Sequence, residues 1–317
     1  MKIIRGKTMG TYYVIQYIDE YHIKNIKQLH NEIDLLLIKI NDQMSTYLQK
    51  SEISQFNQFK KINVPFLVSD SVIEIIKKSK KIYNLTNGAL DISIGSIVNL
   101  WGFSSNERGN NFIPSKEMIK IHKNWSNMNN FFVYKNCLIK KKSQLCLDFS
   151  AIAKGYAVDL ISKFFISQKI KNYIINIGGE IYISGFIKKN IPWNVQIFWP
   201  DKKKERYFVI ESTKNIAIAT SGTYLNFFKT KKDIYSHIID PKTGFPISHN
   251  LISVTVIQDD CTTADGFATA FLVIGEDKAM KLANFLKIPI FMIIKVDNKL
   301  VVKYNFLFKK YLKLFSY

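Results

Sequence analysis

The sequence lacks the features that mark several common classes of protein. Three cysteines, Cys137, Cys146 and Cys261, form no CxxC pair, which argues against a disulfide scaffold or a zinc site and predicts buried free thiols. No apolar run approaches the roughly 18 residues of a membrane-spanning helix. No Gly-x-Gly-x-x-Gly segment occurs, so a Rossmann dinucleotide site is not indicated. No repeat or proline-rich linker divides the 317 residues.

Acidic residues are also scarce, with 25 against 45 basic ones and a net charge of +20. Such a balance is typical of proteins with anionic partners, including nucleic acids. The lysines, however, are scattered or in short clusters, without a basic amphipathic helix or a known reader motif, so we do not expect nucleic-acid binding. An apolar fraction of 47% and a mean hydropathy of −0.02 indicate an ordinary folded globular protein.

The opening residues, MKIIRGKTMG, contain no apolar core of a signal peptide ahead of the first motif discussed below. We therefore expect either that the protein acts where it is made or that an export segment is missing from this sequence.

Hydrophobic periodicity predicts a mixed architecture. Apolar residues at helical spacing predict an amphipathic helix from Ile26 to Met44, and a second helix is expected from an N-cap at Ser71 to the Asn87-Gly88 turn. From Phe131 onward short strands dominate, broken by a helix over 151–167. The expected strands include MGTYYVIQY near the N-terminus, QLCLDF, and segments at 173–177, 181–183, 194–198 and 207–210. This pattern predicts an α+β fold with antiparallel sheets, in one domain over 1–317 or two closely joined lobes.

A carboxylate and a hydroxyl lie one helical turn apart near the C-terminus. Asp265 and Thr269 in CTTADGFATAFLVIG would share a helix face, and two hard oxygen ligands suit Mg²⁺ or Ca²⁺. The alternative is that Asp265 only interacts with the helix dipole or caps the helix.

Four glycine-bearing loops supply further candidates. Asp91 lies in GALDISIG among apolar residues and either caps a helix or contacts a ligand. In DFSAIAKGYAVD, small residues and Lys154 at a helix start suit a phosphate, although a simple strand-to-helix turn explains the pattern as well. NIGGE permits either a tight turn or a close approach of the backbone to a ring. His237 in SHIIDPKTGFP is either structural or, at a phosphate site, able to contact an oxygen or move a proton.

Taken in order, these segments resemble the ApbE family of FAD:protein FMN transferases. The matching segments run from Met9 to about Gly275 and are MGT, MSTY with SEISQFN, GALD with VNLWGF, DFSAIAKGYAVD, NIGGE, ATSG, SHIIDPKTGFP, SVTV and ADGFATA. One such motif would mean little, but the ordered series is specific.

The resemblance implies roles for individual residues. Asp265, Thr269 and the main-chain carbonyl of Ala151 match magnesium ligands, and His237 matches a histidine implicated in catalysis. The positions that match contacts to FAD are Met9, Tyr47, Ala89, Leu90, Asp91, Asp148, Lys154 and Ile239.

The activity that the resemblance implies is Mg²⁺-dependent transfer of the FMN half of FAD to a threonine hydroxyl of an acceptor protein, releasing AMP. The implied acceptors are subunits of membrane electron-transport complexes of the Rnf or Nqr type, and family members are usually lipoproteins of the inner membrane facing the periplasm. No lipidation cysteine precedes Met9 in this sequence. Two alternatives stay open, namely hydrolysis of FAD to FMN and AMP, and flavin binding without turnover.

Overall fold

A computed structural model describes residues 1–19, 25–103, 112–200, 208–224, 227–229, 234–297 and 299–313. Within it the chain forms two compact units. The first unit contains 1–38, 154–222 and 250–317, and the second contains 39–153 and 223–249. None of the helices in the described ranges is both long enough and apolar enough to cross a membrane.

The described residues form helices in both units and a short 3₁₀ turn at Met128–Asn130. The helices are α1 Ile26–Met44, α2 Glu52–Gln58, α3 Asp70–Leu85, α4 Gly95–Leu100, α5 Lys116–Trp125, α6 Ala153–Ser167, α7 Cys261–Ile274, α8 Glu276–Phe285 and α9 Phe306–Lys309.

The strands are mostly short. They are β1 Lys2–Thr8, β2 Thr11–Ile18, β3 Pro65–Leu67, β4 Phe131–Tyr134, β5 Cys137–Lys140, β6 Asn172–Ile177, β7 Glu180–Ser184, β8 Phe186–Lys188, β9 Ile191–Pro192, β10 Asn194–Ile197, β11 Phe208–Glu211, β12 Ile216–Gly222, β13 Phe227–Lys229, β14 Ile234–Ser236, β15 Leu251–Gln258, β16 Ile290–Val296, β17 Lys299–Tyr304 and β18 Leu312–Lys313.

An eight-stranded sheet organises the first unit. Its order is β1-β2-β6-β7-β12-β15-β16-β17, and every neighbouring pair is antiparallel. Strand β6 alternates buried and half-buried residues, as a strand with one covered face does, whereas β15 is buried on both faces. Helix α7 packs on β12 and β15, and most of its residues are buried. The α+β class with antiparallel sheet is confirmed.

The second unit contains the three-stranded sheet β3-β5-β4, the hairpin β13-β14 and helices α2 to α5. A core cluster forms around α4 and α5 from Ile97, Leu100, Trp101, Ile119 and Ile239. Lys140, at the end of β5, is fully buried, and its ammonium group donates to the carbonyls of Leu145 and Asn57 at 2.8 and 3.1 Å. Main-chain oxygens thus hold the Lys140 ammonium group, which has no carboxylate partner among the described residues.

Three local predictions differ from the structure. The strand predicted over MGTYYVIQY forms as β2 but begins at Thr11, because Met9 and Gly10 have positive φ and form the turn between β1 and β2. The N-cap of α3 is Ser69, not Ser71, since Ser69 is already held by the Glu52 carboxylate through its N–H at 2.7 Å.

The third, QLCLDF, is no strand and contributes only an isolated bridge between Cys146 and Ile94. Its Leu147 main chain bonds to the Asn57 side chain instead of to a neighbouring strand. The predicted strand at 207–210 is confirmed as β11, although Tyr207 lies outside the described residues.

Candidate functional site

Several predicted site segments meet at one end of the eight-stranded sheet. The β1-β2 turn contains Met9, which is half-buried, and β2 pairs with β6 so that Tyr13 faces Ile177. The β6-β7 turn is the pair Gly178-Gly179, and β12 ends beside the start of β7. Because antiparallel neighbours place these turns and strand ends on the same side, the sheet gathers MGT, NIGGE and ATSG at one edge.

Three charged side chains form a cluster in the first unit. The Lys154 ammonium in the first turn of α6 lies 2.9 Å from Oε1 of Glu180 and 3.9 Å from Oδ1 of Asp265. The side chains of Glu180 and Asp265 are 2% exposed, whereas that of Lys154 is 29% exposed. The Asp265 Oδ2 atom accepts the Gly155 N–H at 3.0 Å. The structure thus brings the predicted residues Lys154 and Asp265 together and adds Glu180.

The electrostatics of this cluster follow from burial and from an imbalance of charge. Burial raises the pKa of Glu180 and of Asp265, and the Lys154 ammonium opposes both shifts. Burial alone would lower the pKa of Lys154, but the charges of Asp265 and Glu180 outweigh it and raise that pKa. Two carboxyl groups share one ammonium group, and the buried Oε2 atom of Glu180 has no hydrogen-bond partner in the described structure. The cluster therefore has capacity for one more cation or proton.

Helices α6 and α7 cross closely at Gly155. A Cβ atom added there would stand 2.3 Å from the carbonyl oxygen of Cys261 and 2.9 Å from Cβ of Asp265. Only glycine allows this approach, which brings the Gly155 N–H within bonding distance of the Asp265 carboxylate.

Two carboxylates hold the N-terminus of α7. Asp159 on α6 accepts the N–H groups of Cys261 and Thr262 at 2.7 and 2.9 Å and also bonds to the Thr262 hydroxyl. Asp260 is the N-cap and accepts the Thr263 N–H at 2.9 Å. The free N–H groups of the first turn are thereby satisfied, so Asp265 is not needed as a cap. The interpretation of Asp265 as a capping residue is wrong.

Thr269 follows Asp265 by one helical turn and is half-buried. Its hydroxyl lies 2.9 Å from the Ser221 hydroxyl, while Thr220 and Thr255 form a similar pair at 2.8 Å. The contact with Ser221 restricts the orientation of the Thr269 hydroxyl.

The residues around Asp265 fit a hard divalent cation. Among the described residues, its Oδ1 atom is approached by the Lys154 ammonium group at 3.9 Å, and the nearby Glu180 Oε2 atom has no hydrogen-bond partner. Among the described residues no group of three or more His, Cys, Asp or Glu side chains is placed to hold a metal ion. The predicted set has one carboxylate, one hydroxyl and the carbonyl of Ala151, which lies in the turn before α6 and is counted in the second unit. Magnesium stays a prediction.

In the second unit, the two loops with Asp91 and Asp148 run side by side. The Asp148 N–H donates to the Ile92 carbonyl at 2.8 Å. Each carboxylate turns back on its own loop, because Asp91 accepts the N–H of Ser93 at 2.8 Å and Asp148 accepts that of Ser150 at 2.7 Å. Asp91 is therefore not a helix cap. The preceding Ala89 and Leu90 are buried in the unit.

The loop with His237 is pinned by Trp101. The indole N–H donates to the Gly244 carbonyl at 2.8 Å, and Ile239 joins the same core cluster and bridges to Pro246. His237 is half-buried, with its ring edge-on to Phe103 at 6.5 Å between centroids.

Tyr47 reaches the same residue from another loop. Its side chain is 60% exposed, and its hydroxyl donates to the Phe103 carbonyl at 3.1 Å. Phe103 thus links the predicted residues Tyr47 and His237, and a large exposed tyrosine beside a histidine suits contact with a planar ligand.

Three residues of the first unit were not singled out from the sequence: Asp159, Glu180 and Ser221. All lie inside segments that the sequence does single out, but a motif does not say which side chains turn inward. One signal was available, since Glu180 opens the otherwise apolar strand EIYIS and Asp159 interrupts the apolar helix run YAVDLI. A lone charge in such a run predicts a buried, paired group.

Comparison with known proteins places these features in a family. The family model for ApbE matches residues 9–292 of this chain. The FAD:protein FMN transferase of Vibrio cholerae is 41% identical over 295 residues, which cover 93% of this chain and 88% of that protein. The enzyme of the same name from Haemophilus influenzae is 36% identical over 313 residues, covering 97% and 90%. The solved structure of the V. cholerae flavin transferase ApbE superposes with a TM-score of 0.90 at 39% identity, covering 98% of this chain and 99% of that one.

Proposed function

The chain belongs to the ApbE family, and from this membership we propose that it transfers the FMN moiety of FAD to a threonine hydroxyl of an acceptor protein, releasing AMP. Flavin transferase activity is common to the relatives that it matches over most of their length. The observation that supports this proposal is the cluster of Lys154, Glu180 and Asp265, where a partly exposed lysine side chain is backed by two buried carboxyl groups.

Phosphoryl transfer depends on positioning and on neutralising the charge of the phosphate groups. Lys154 supplies a permanent positive charge for the diphosphate of FAD, because its two carboxyl partners raise its pKa. The N-terminal turn of α6 that contains Lys154 adds main-chain N–H groups of the kind that bind phosphate.

Asp265, Thr269 and the carbonyl of Ala151 would hold Mg²⁺. When bound, the ion would neutralise charge on the diphosphate and on the departing AMP. Ser221 orients the Thr269 hydroxyl, and the Gly155 N–H fixes one oxygen of Asp265, leaving the other oxygen directed toward Lys154.

The proposed contacts to FAD come from both units. Those in the first unit are Met9 and Lys154, and those in the second are Tyr47, Ala89, Leu90, Asp91, Asp148 and Ile239. His237 would accept the proton of the attacking threonine, since an imidazole titrates near neutral pH. The proposed acceptors are flavin-bearing subunits of membrane electron-transport complexes of the Rnf or Nqr type.

The test is mass spectrometry of a candidate acceptor subunit after incubation with the protein, FAD and Mg²⁺. We expect one acceptor peptide to gain the mass of FMN on a threonine, with AMP released in equal amount. Free FMN and AMP without acceptor labelling would identify a hydrolase instead, and intact bound FAD would identify a carrier.

Asp265→Ala should abolish the labelling while the protein stays folded, because α7 is capped by Asp159 and Asp260 and not by Asp265. Chelation of divalent cations by EDTA should have the same effect, reversed by added Mg²⁺. Undiminished labelling by Asp265→Ala would refute the metal assignment.

A further inference from the structure

Within the described part of the chain, the ammonium group of Lys154 has one close partner. Its hydrogen bond to Oε1 of Glu180 is 2.9 Å long, whereas its distance to Oδ1 of Asp265 is 3.9 Å, beyond hydrogen-bonding range. Asp265 is in addition tied to the Gly155 N–H. The direction in which the Lys154 side chain extends is therefore fixed by Glu180.

Exposure separates the two members of this pair. The Lys154 side chain is 29% exposed and the Glu180 side chain 2%. A ligand that arrives from solvent therefore meets the lysine side chain before the carboxyl group that lies behind it. Because Lys154 is the close partner of Glu180, we expect Glu180 to act on a bound substrate through Lys154.

The chain places Glu180 inward by a tight two-residue turn. Ile177 pairs with Glu180 across Gly178 and Gly179, whose φ values are +60° and +103°. A Cβ on Gly178 would also stand 2.8 Å from the Thr11 side chain. Both conditions favour glycine, so the double glycine of NIGGE sets the register that turns Glu180 into the protein.

Burial of a carboxyl group with one oxygen lacking a described partner is costly for stability, and an apolar residue at that position would avoid the cost. A role beyond folding would account for such a group.

We propose that Glu180 is a positioning residue that holds the Lys154 ammonium group in place for the diphosphate of FAD. This inference rests on the proposed function, because it takes FAD as the ligand of Lys154. Glu180 acts by accepting a hydrogen bond, so an amide at the same position replaces it in part and a methyl group does not.

The experiment is a double-mutant cycle on FAD affinity, measured by quenching of flavin fluorescence in the full chain without added metal. Glu180→Ala should weaken FAD binding about 10-fold to 100-fold, the scale of a hydrogen bond to a charged group. The dissociation constant of Glu180→Gln for FAD should stay within about 3-fold of that of the unmodified protein, since the amide oxygen can still accept the hydrogen bond. Lys154→Met should weaken binding, and Glu180→Ala should then add nothing in the Lys154→Met background.

The matched control is Glu276→Ala, which removes the exposed ion pair with Lys303 in the same unit and should leave FAD affinity unchanged. Circular dichroism and urea unfolding show whether each variant folds, and Glu180→Gln provides the comparison if Glu180→Ala does not. The inference would be overturned if Glu180→Ala bound FAD as tightly as the unmodified protein. It would also be overturned if the losses of affinity caused by Glu180→Ala and Lys154→Met multiplied in the double variant.

Failure of the proposed function and failure of the role of Glu180 give different results. If the unmodified protein neither binds FAD nor labels an acceptor, the proposed function fails. If it does both and Glu180→Ala behaves like the unmodified protein, only the role of Glu180 fails.

Discussion

Gly155→Ala is expected to reduce flavin transfer strongly while changing stability little. The added Cβ would stand 2.3 Å from the Cys261 carbonyl oxygen and 2.6 Å from its carbon, both main-chain atoms of α7 that cannot rotate away. Ordinary contact begins at 3.4 Å, so α6 and α7 must separate by about 1 Å. The Gly155 N–H bond to Asp265 would lengthen by a similar amount.

The two energetic effects of this substitution oppose each other. Overpacking of this kind typically costs about 1–3 kcal/mol, and the better helix propensity of alanine returns about 1 kcal/mol. The net loss of unfolding free energy is therefore about 0–2 kcal/mol. A displacement of about 1 Å between catalytic groups, in contrast, commonly costs on the order of 100-fold in rate.

The assay compares initial rates of acceptor labelling and urea unfolding for Gly155→Ala and for a surface control on the same helix, Ile166→Ala. Ile166 is 63% exposed, so its truncation should change stability by less than about 0.5 kcal/mol and leave the rate unchanged. A Gly155→Ala protein that transfers flavin at the unmodified rate would refute the argument that this crossing positions Asp265.

Two further predictions concern buried charged groups. Asp159→Asn should lower the unfolding free energy by about 1–3 kcal/mol, because both carboxylate oxygens accept N–H bonds of α7 and an amide has only one acceptor oxygen; a loss under about 0.5 kcal/mol in urea unfolding would contradict this. Burial lowers the pKa of Lys140 to about 8 from 10.5, so between these values the unfolded chain binds more protons than the folded one and stability rises with pH. The unfolding free energy of the unmodified protein, minus that of Lys140→Met, should therefore rise from pH 8 to 10.5 by at most about 3 kcal/mol. A difference that does not change with pH would contradict the assignment.

Local patterns were sufficient for part of this structure. The periodicity from Ile26 to Met44 predicted α1 with its boundaries, and the i, i+4 spacing of Asp265 and Thr269 correctly placed both on one helix. These features depend on residues a turn apart, so the sequence alone contains the information.

Other features depend on residues that are distant in sequence. Whether Glu180 faces inward is decided by strand register, and its partner Lys154 lies on another element, so the pair was not predicted. Ser69 and Ser71 are equally good caps in isolation, and the contact of Ser69 with Glu52 decides between them. The segment QLCLDF has the composition of a strand, but the Asn57 side chain occupies the main-chain hydrogen-bonding groups of Leu147 in its middle.

The eight-stranded sheet begins with β1 and finishes with β17, each paired on one side only in its strand order. Such edge strands, or rims, can pair with the backbone of other molecules. Both contain basic residues, with Arg5 and Lys7 in β1 and Lys299 in β17, in addition to Lys2 and Lys303, which form ion pairs with Asp19 and Glu276. Two molecules that approached rim to rim would repel each other. Part of the large surplus of lysine can therefore serve to keep copies of the protein from fusing into a shared, growing ladder.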